Sequence, residues 1–270
     1  MTTTSGDTVP GTCNRPFPVE GTFNLRTTAG YPAQGRVVRE AKLFRSDGLQ
    51  GLTDAGRGQF AAFGIRRVID LRDRTELEHS PSQLQGMPLE VTHNPIFEEG
   101  KVPGGQDPTT LQSIYRLIVE QHAGRLADAV RIIADSGPDP VLVHCAAGKD
   151  RTGLVIAVAL LAAGVDREYV VRDYAASEEN LGAGWTEKTL ATLATTHALS
   201  TVDENLRHII AASPAAVLES ALDLIDARYG SAAGLLTSHG FSDTDVATLR
   251  EVLTAATDTN PPQQLSHLNS

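Results

Sequence analysis

The chain has 270 residues, 41% of them hydrophobic and 21% charged, which suits one globular domain with a buried core. Its 33 acidic and 23 basic residues give a net charge of −10 without a long lysine or arginine run, which argues against nucleic acid or an anionic membrane as the main partner. No signal peptide pattern and no apolar run of about 18 residues is visible, so we expect no integral membrane segment.

The first part of the sequence predicts a leader followed by alternating strands and helices. Residues 1–20 are rich in threonine, glycine and proline and are predicted to form a flexible leader. A single domain is expected over 21–256. Within it, the local patterns predict a short strand and turn at the end of 36–49, a helix over 53–63 and a strand over 66–71.

The strand predicted over 66–71 runs into the sequence DLRD, which places charged side chains where open α/β sheets bind ligands. Asp70, Arg72 and Asp73 are therefore candidates for a site, and the alternative is a solvated charged turn with local ion pairs. Tyr115 lies on a predicted helical stripe, which favours a core position over a contact with substrate. The patterns after residue 80 predict an edge strand, a loop rich in glycine, proline and acidic residues, and two helices: 89–93, 97–108, 109–120 and 125–134.

The most informative stretch is 141–153, VLVHCAAGKDRTG. An apolar run predicts a buried strand, a loop of small residues follows, and an apolar helix then ends near Gly164. The first backbone N–H groups of a helix have no internal partner, so this order gathers donors around an anion. Ala146, Ala147 and Gly148 leave room for the loop to close on a phosphate-sized group.

The sequence places a thiol and a guanidinium in that loop. Cys145 is the candidate nucleophile, because a helix N-terminus and neighbouring cations favour the ionised form of a thiol. Arg151 has a planar fork that can bind two phosphoryl oxygens and stabilise them in the transition state. Thr152 can donate a hydrogen bond to the sulfur when the thiolate leaves, and His144 either orients the loop or has a purely structural role.

These residues resemble the motif of the protein-tyrosine-phosphatase superfamily, which is His-Cys, five residues, Arg, then Ser or Thr. The matching residues are His144, Cys145, Arg151 and Thr152, with Gly148 where the superfamily has glycine. The resemblance implies hydrolysis of phosphomonoesters through a phosphocysteine intermediate, without a metal or other cofactor.

The chain is also similar to the bacterial PtpB-like branch of tyrosine and lipid phosphatases. That branch has an Asn-Phe-Arg-Asp-x-Gly-Gly segment, of which Asn24, Arg26 and Gly30 remain here. It also has a Phe-Arg-Ser like the one within LFRSDGL, an Asp-Leu-Arg like 70–72, and an Asp-Tyr followed by Ser like 173–177. The departures in the first segment weaken any role there.

The leaving group needs a general acid. Many tyrosine phosphatases supply it from a Trp-Pro-Asp loop, which this chain lacks. The branch carries Lys-Asp-Arg in its phosphate loop, which makes Asp150 the first candidate, before Asp70 and Asp107. The alternative is that Asp150 only pairs with Lys149 or another base.

Lys149 bears on the substrate, because an extra cation in the loop suits a multiply phosphorylated or acidic target, and phosphoinositide phosphatases of the superfamily place a lysine here. The alternative is a solvated lysine that only favours the thiolate. We expect phosphorylated proteins or phosphoinositides as partners. The competing interpretations are a catalytically inactive phospho-ligand-binding module and a different cysteine chemistry, such as sulfur transfer.

The second half of the sequence is predicted to be mainly helical. Together with the alternation before residue 165, this predicts an α/β fold with a mainly parallel sheet flanked by helices. The predicted helices are 167–177, 202–210, 215–228 and 243–253. The resemblance implies a helical cover within 180–212, whose own pattern is weak, and 257–270 is predicted to be a disordered tail.

The chain has two cysteines, Cys13 and Cys145. A disulfide between them would remove the nucleophile, so we expect both to be thiols in a reducing compartment such as the cytoplasm, with Cys13 as a resolving thiol for Cys145 as the alternative. Export by a route without a signal peptide stays open.

Overall fold

The computed structural model describes residues 14–97, 109–196 and 203–257. Its strands are β1 Arg26–Thr27, β2 Arg36–Val38, β3 Leu43–Ser46, β4 Arg67–Asp70, β5 Glu90–His93, β6 Val141–His144 and β7 Thr254–Ala256. Five of them form one sheet in the order β1-β3-β6-β4-β5, in which only β1 is antiparallel to its neighbour. Strands β2 and β7 form a separate antiparallel pair.

The central strands are apolar on both faces because packed residues cover both sides of the sheet. Side chains alternate along a strand, so Val141 and Val143 of β6 lie in one buried cluster and Leu142 in the other. The neighbouring β3 follows the same rule with Leu43 and Phe44. This two-sided burial is typical of parallel sheets. Because β3, β6 and β4 run parallel, their carboxyl ends lie side by side.

The helices are α1 Asp54–Ala61, α2 Arg74–His79, α3 Leu111–Gln121, α4 Ala123–Ala134, α5 Asp150–Ala162, α6 Arg167–Thr196, α7 Glu204–Ala211, α8 Ala215–Tyr229, α9 Ala232–Ser238 and α10 Asp243–Leu253. Thr53 caps α1 by accepting from the Gly56 N–H. The predicted α/β fold with a mainly parallel sheet and a helical second half is confirmed.

Several elements differ from the sequence expectations. Helix α6 continues past residue 180 to Thr196, with a break at Gly182, where φ is 66° and ψ is 174°. The local pattern did not predict this continuation, although the resemblance implied helical structure within 180–212, because the continuation buries few apolar side chains. Helices α2 and α9 and the β2–β7 pair are also unpredicted, since each is seven residues or shorter and carries little periodicity.

Part of the stretch predicted to be a leader packs on the fold. The Phe17 ring lies 4.6 Å from the Phe63 ring, and Val19 is buried beside them. Residues 1–13 of the leader and 258–270 of the predicted tail lie outside the described residues.

Within the described ranges, no single helix combines the length and apolar character that crossing a membrane requires. Helices α7 and α8 satisfy that criterion only when taken together, and a 73° bend separates them.

Candidate active site

The candidate nucleophile stands at the carboxyl end of the central strand. Cys145 directly follows β6 and is 2% exposed, and the loop from Cys145 runs into α5, which begins at Asp150. No side chain caps the start of α5 among the described residues. The first N–H groups of that helix therefore stay available to an anion in the loop.

Three residues from the N-terminal part of the chain donate hydrogen bonds to carbonyl oxygens on the outer side of the loop. These contacts are Gly48 N–H to Ala146 O at 2.8 Å, Asn24 Nδ2 to Ala147 O at 3.1 Å and Arg45 Nη2 to Gly148 O at 2.7 Å. In a trans peptide the N–H and the C=O point in opposite directions. Fixing the carbonyls outward therefore turns the N–H groups of the loop toward its inside, as a nest for phosphate requires.

Gly148 allows the loop to lie against β3. Its φ is +65°, and a Cβ there would stand 2.1 Å from the Ser46 carbonyl oxygen. Both the left-handed backbone and the lack of space require glycine at this position. The glycine of the loop motif therefore has a steric reason.

A buried charged cluster, Arg26, Arg45 and Asp173, lies behind the loop. Asp173 accepts from Arg26 Nε at 3.0 Å and forms an ion pair with Arg45, and each of the three side chains is at most 1% exposed. Burial disfavours a charged carboxyl, yet the two guanidinium groups hold the pKa of Asp173 below its usual range. Two cations on one carboxylate leave an excess positive charge directly behind the loop, which favours a bound anion.

Arg151, the predicted phosphate ligand, makes a two-point ion pair with Glu76 of α2. Arg151 Nη1 lies 2.6 Å from Glu76 Oε2, and Nη2 lies 2.8 Å from Oε1. Burial would lower the pKa of Arg151, but Cys145 and Glu76 raise it well above its usual range, so the guanidinium is charged. Glu76 uses two of the five N–H donors of Arg151 and fixes the plane of the others.

The structure pairs Asp70 with Arg72 and with the histidine of the motif. Arg72 Nη2 lies 2.7 Å from Asp70 Oδ2, and His144 Nε2 lies 3.3 Å from the same oxygen. Burial raises the pKa of Asp70, but the His144 and Arg72 contacts outweigh it and hold this pKa well below its usual range. Arg72 also donates to Ser80 O at 2.7 Å and to Ser82 Oγ at 2.9 Å. Asp70 and Arg72, both predicted site residues, therefore pair with each other, and Asp70 also contacts His144 of the motif.

Asp150, the first candidate for the general acid, lies in the first turn of α5. Its Oδ1 accepts from the hydroxyl of Tyr115 at 3.0 Å, and its Oδ2 lies 3.7 Å from Lys149 Nζ. Its side chain is 24% exposed, whereas Tyr115 is buried, as the helical stripe predicts. The Asp150 carboxyl is therefore partly open to solvent at the start of α5.

The side chain of Lys149 is directed to helix α7. Its Nζ donates to the carbonyls of Ile209 at 2.7 Å, Ile210 at 3.3 Å and Ala212 at 2.6 Å. Lys149 is 1% exposed, so the alternative of a solvated lysine is wrong. The hydroxyl of Thr152 is also buried and has no hydrogen-bond partner among the described residues.

A family profile described as "Tyrosine phosphatase family" matches residues 17–255. The chain belongs to the tyrosine phosphatase family. It is 27% identical over 270 residues to the triple specificity protein phosphatase PtpB of Mycobacterium tuberculosis, an alignment that covers 86% of this chain and 97% of the relative. It is 32% identical over 183 residues to a tyrosine-protein phosphatase of Nostoc commune, which covers 65% of this chain and 56% of the relative.

Among solved structures, that of TpbA from P. aeruginosa is similar to 67% of this chain and 96% of its own, with 17% identity and a TM-score of 0.39. A likeness that distant adds nothing to the family assignment. The family match confirms the predicted superfamily and the prediction of a cysteine-dependent phosphatase, and it sets aside a different cysteine chemistry.

Sequence reasoning missed Glu76 in this phosphatase site. The spacing of Asp73 and Glu76 is that of a capping box and signals the start of α2, but it does not point to Arg151. Asp73, a candidate for the site, thereby serves as the N-cap of that helix. Asn24, Arg26, Arg45 and Asp173 were noted only as resemblances. Cys13 and Asp107 lie outside the described residues.

Proposed function

We propose that this phosphatase hydrolyses phosphotyrosine in proteins, with Cys145 as the nucleophile and Asp150 as the general acid. The proposal rests on the way in which the phosphate loop and Arg151 are held. Its carbonyls are bound from outside by Asn24, Arg45 and Gly48, and Arg151 is fixed by Glu76. A phosphoryl group seated there meets backbone N–H groups and a guanidinium, with the thiol behind it.

In the first step the Cys145 thiolate attacks phosphorus opposite the leaving oxygen. The new S–P bond forms as the P–O bond to the substrate breaks, and the leaving oxygen takes a proton from Asp150. Arg151 and the loop N–H groups stabilise the charge on the three equatorial oxygens during this transfer.

In the second step water hydrolyses the phosphocysteine. Asp150, now a carboxylate, takes a proton from the attacking water as the S–P bond breaks and inorganic phosphate forms. The hydroxyl of Thr152 is buried beside the start of α5 without a described partner, and we assign it to the departing thiolate.

Asp150 is preferred over Asp70 as the acid for a physical reason. Asp70 is 2% exposed and its carboxylate contacts His144 and Arg72, which hold its pKa well below its usual range and so oppose uptake of a proton, whereas the Asp150 side chain is 24% exposed. We assign Asp70 and Arg72 to positioning His144 under the loop instead. His144 Nδ1 lies 3.2 Å from the Cys145 carbonyl oxygen.

The relatives indicate which other phosphoesters to test as substrates. The M. tuberculosis relative is described as triple specificity, which supports testing phosphoserine and phosphothreonine beside phosphotyrosine. We assign the chain to a reducing compartment such as the cytoplasm, because a nucleophilic thiol works only while reduced.

The test is phosphate release from a phosphotyrosine peptide, a phosphoserine peptide and a soluble phosphoinositide, with chelator present, for the wild type and Cys145→Ser. We expect wild-type release from the phosphotyrosine peptide that persists with chelator and is lost in the variant. Faster release from the phosphoinositide would reassign the substrate to lipids. Binding of all three without release would identify an inactive phospho-ligand-binding module.

A further inference from the structure

All three hydrogen-bond donors of the Lys149 ammonium face backbone carbonyls at the end of helix α7. A lysine has three N–H donors, and Nζ lies within hydrogen-bond distance of three carbonyls, those of Ile209, Ile210 and Ala212. The nearest carboxylate oxygen of Asp150 stands farther off, at 3.7 Å. With this side chain 1% exposed, no donor is left for a phosphate in this arrangement.

These carbonyls belong to the C-terminal end of α7, where a cation is most favourable. The last carbonyls of a helix lack internal partners, and the helix dipole makes that end negative. A basic side chain near that end can hydrogen-bond these carbonyls, and α7 has only His208 in its own last turn. Here the cation comes from the phosphate loop, four residues after Cys145.

Apart from Lys149, helix α7 is held by partial packing, with Ile209 partly buried against the core, and by a few polar contacts. None of its residues is buried, and its visible ties at the N-terminal end are Asn205 Nδ2 to Thr109 O at 2.8 Å and an exposed ion pair between Arg207 and Glu187. Beyond the helix, Ser213 is tied to α6 through Glu178, with N–H to Oε2 at 2.9 Å. Ser213 is therefore a fixed point, and Lys149 supplies the hydrogen bonds at the end of the helix before it.

We infer that Lys149 is a positioning residue that fastens α7 to the phosphate loop, and that it does not bind a second phosphate of the substrate. The inference deepens the proposed function, on which it rests for the identity of the loop as the phosphate site. A ligand phosphate reaches this ammonium only by displacing the end of α7. Selectivity for a second phosphate therefore does not come from Lys149.

The first experiment is hydrogen–deuterium exchange on the full chain for the wild type, Lys149→Met and a matched control, Lys188→Met. Lys188 is an exposed lysine of α6, so its loss changes the net charge equally. We expect the backbone of 203–213 to exchange about tenfold faster in Lys149→Met, with β6 and α5 unchanged and no change in the control. Unchanged exchange over 203–213 would overturn the inference.

If β6 and α5 also exchange faster, the substitution has loosened the phosphate loop itself. The Lys149→Arg variant then tests whether a cation at this position restores the protection of α7. Arginine keeps the cation, so protection of 203–213 should return at least in part, whereas no return would overturn the inference. This readout needs no turnover, so it stands even if the chain failed to hydrolyse phosphotyrosine.

The second experiment compares kcat/KM for a peptide with one phosphotyrosine and for the same peptide with an added phosphothreonine. If Lys149 only positions α7, Lys149→Met changes both kcat/KM values by the same factor, and the ratio of the two values stays within about twofold of the wild-type ratio. A loss of about tenfold confined to the doubly phosphorylated peptide would show that Lys149 binds the second phosphate.

Discussion

Arg151 and Glu76 face each other as two planar groups, with Nη1–Oε2 and Nη2–Oε1 distances of 2.6 and 2.8 Å. Glu76 is itself fixed, because its Oε2 accepts from the Asp73 N–H at 2.9 Å and its own N–H donates to Asp73 Oδ1 at 2.8 Å. The cap of α2 thereby sets the orientation of the guanidinium. Burial opposes the charge on Glu76, but Arg151 keeps the pKa of this carboxyl below its usual range.

We predict that Glu76→Gln lowers kcat/KM for a phosphotyrosine peptide by about 100-fold, because a displaced guanidinium no longer faces the equatorial oxygens. The control is Glu78→Gln on the same helix, where the exposed carboxylate pairs with Arg74. Steady-state kinetics and circular dichroism of the three proteins test this prediction. Wild-type activity in Glu76→Gln would show that Arg151 orients itself without this partner.

Arg45 has two functions that lysine cannot combine. It donates to Gly148 O at 2.7 Å and pairs with the buried Asp173. We predict that Arg45→Lys lowers kcat/KM by at least about tenfold and destabilises the fold by about 3 kcal/mol, since a buried charge loses its geometry. Urea unfolding and kinetics separate the two effects, with Arg36→Lys at the β2–β7 pair as control. Lost stability with full activity in the folded fraction would contradict the role assigned to the Gly148 carbonyl.

Gly148 and Gly64 form a natural comparison, because both have φ of +65° while only Gly148 lacks room for a Cβ. Alanine at either position costs about 1 kcal/mol in backbone strain. Gly148→Ala must also displace the Ser46 carbonyl from β3, so we predict a loss of activity of at least about 100-fold there and full activity in Gly64→Ala. Equal activity in the two variants would mean that the loop tolerates a shift away from β3.

The nucleophile and the phosphate ligand were predictable because they lie in one contiguous strand, loop and helix. The residues that hold this loop were not, since Asn24 and Arg45 contact it from more than 100 positions away. Glu76 is 75 positions from Arg151, and no local pattern links them. The role of Lys149 was hidden for another reason. Its partners are backbone carbonyls, and a sequence does not show which carbonyls a fold brings near a side chain.

Asp150 as general acid makes the rate depend on the leaving group. We predict that Asp150→Asn lowers kcat/KM, which reports the first step alone, by about 100-fold for a phosphotyrosine peptide and by less than about tenfold for p-nitrophenyl phosphate, whose leaving group needs no proton. Tyr115→Phe, which removes the hydrogen bond at 3.0 Å but keeps the carboxyl, should affect both substrates alike. Equal losses of kcat/KM for the two substrates in Asp150→Asn would exclude it as the acid, whereas equal losses of kcat would reflect its role in phosphocysteine hydrolysis.

The ion pair of Asp70 and Arg72 predicts how stability depends on pH. The His144 and Arg72 contacts outweigh burial and hold the pKa of Asp70 well below its unfolded value of about 3.9. Asp70 therefore stabilises the fold above that unfolded pKa, and this contribution is lost as the pH falls below about 4 toward the folded pKa.

We predict that Asp70→Asn is less stable than the wild type by about 3 kcal/mol at pH 7, because Arg72 is left buried without its counter-charge. The difference should narrow as the pH falls from about 5 to 3, since the unfolded wild-type carboxylate takes up a proton below its pKa of about 3.9 while the folded carboxylate stays ionised and the amide does not titrate. Urea unfolding of both proteins across this range measures it. A difference that stays constant down to pH 3 would mean that the charge on Asp70 does not stabilise the fold.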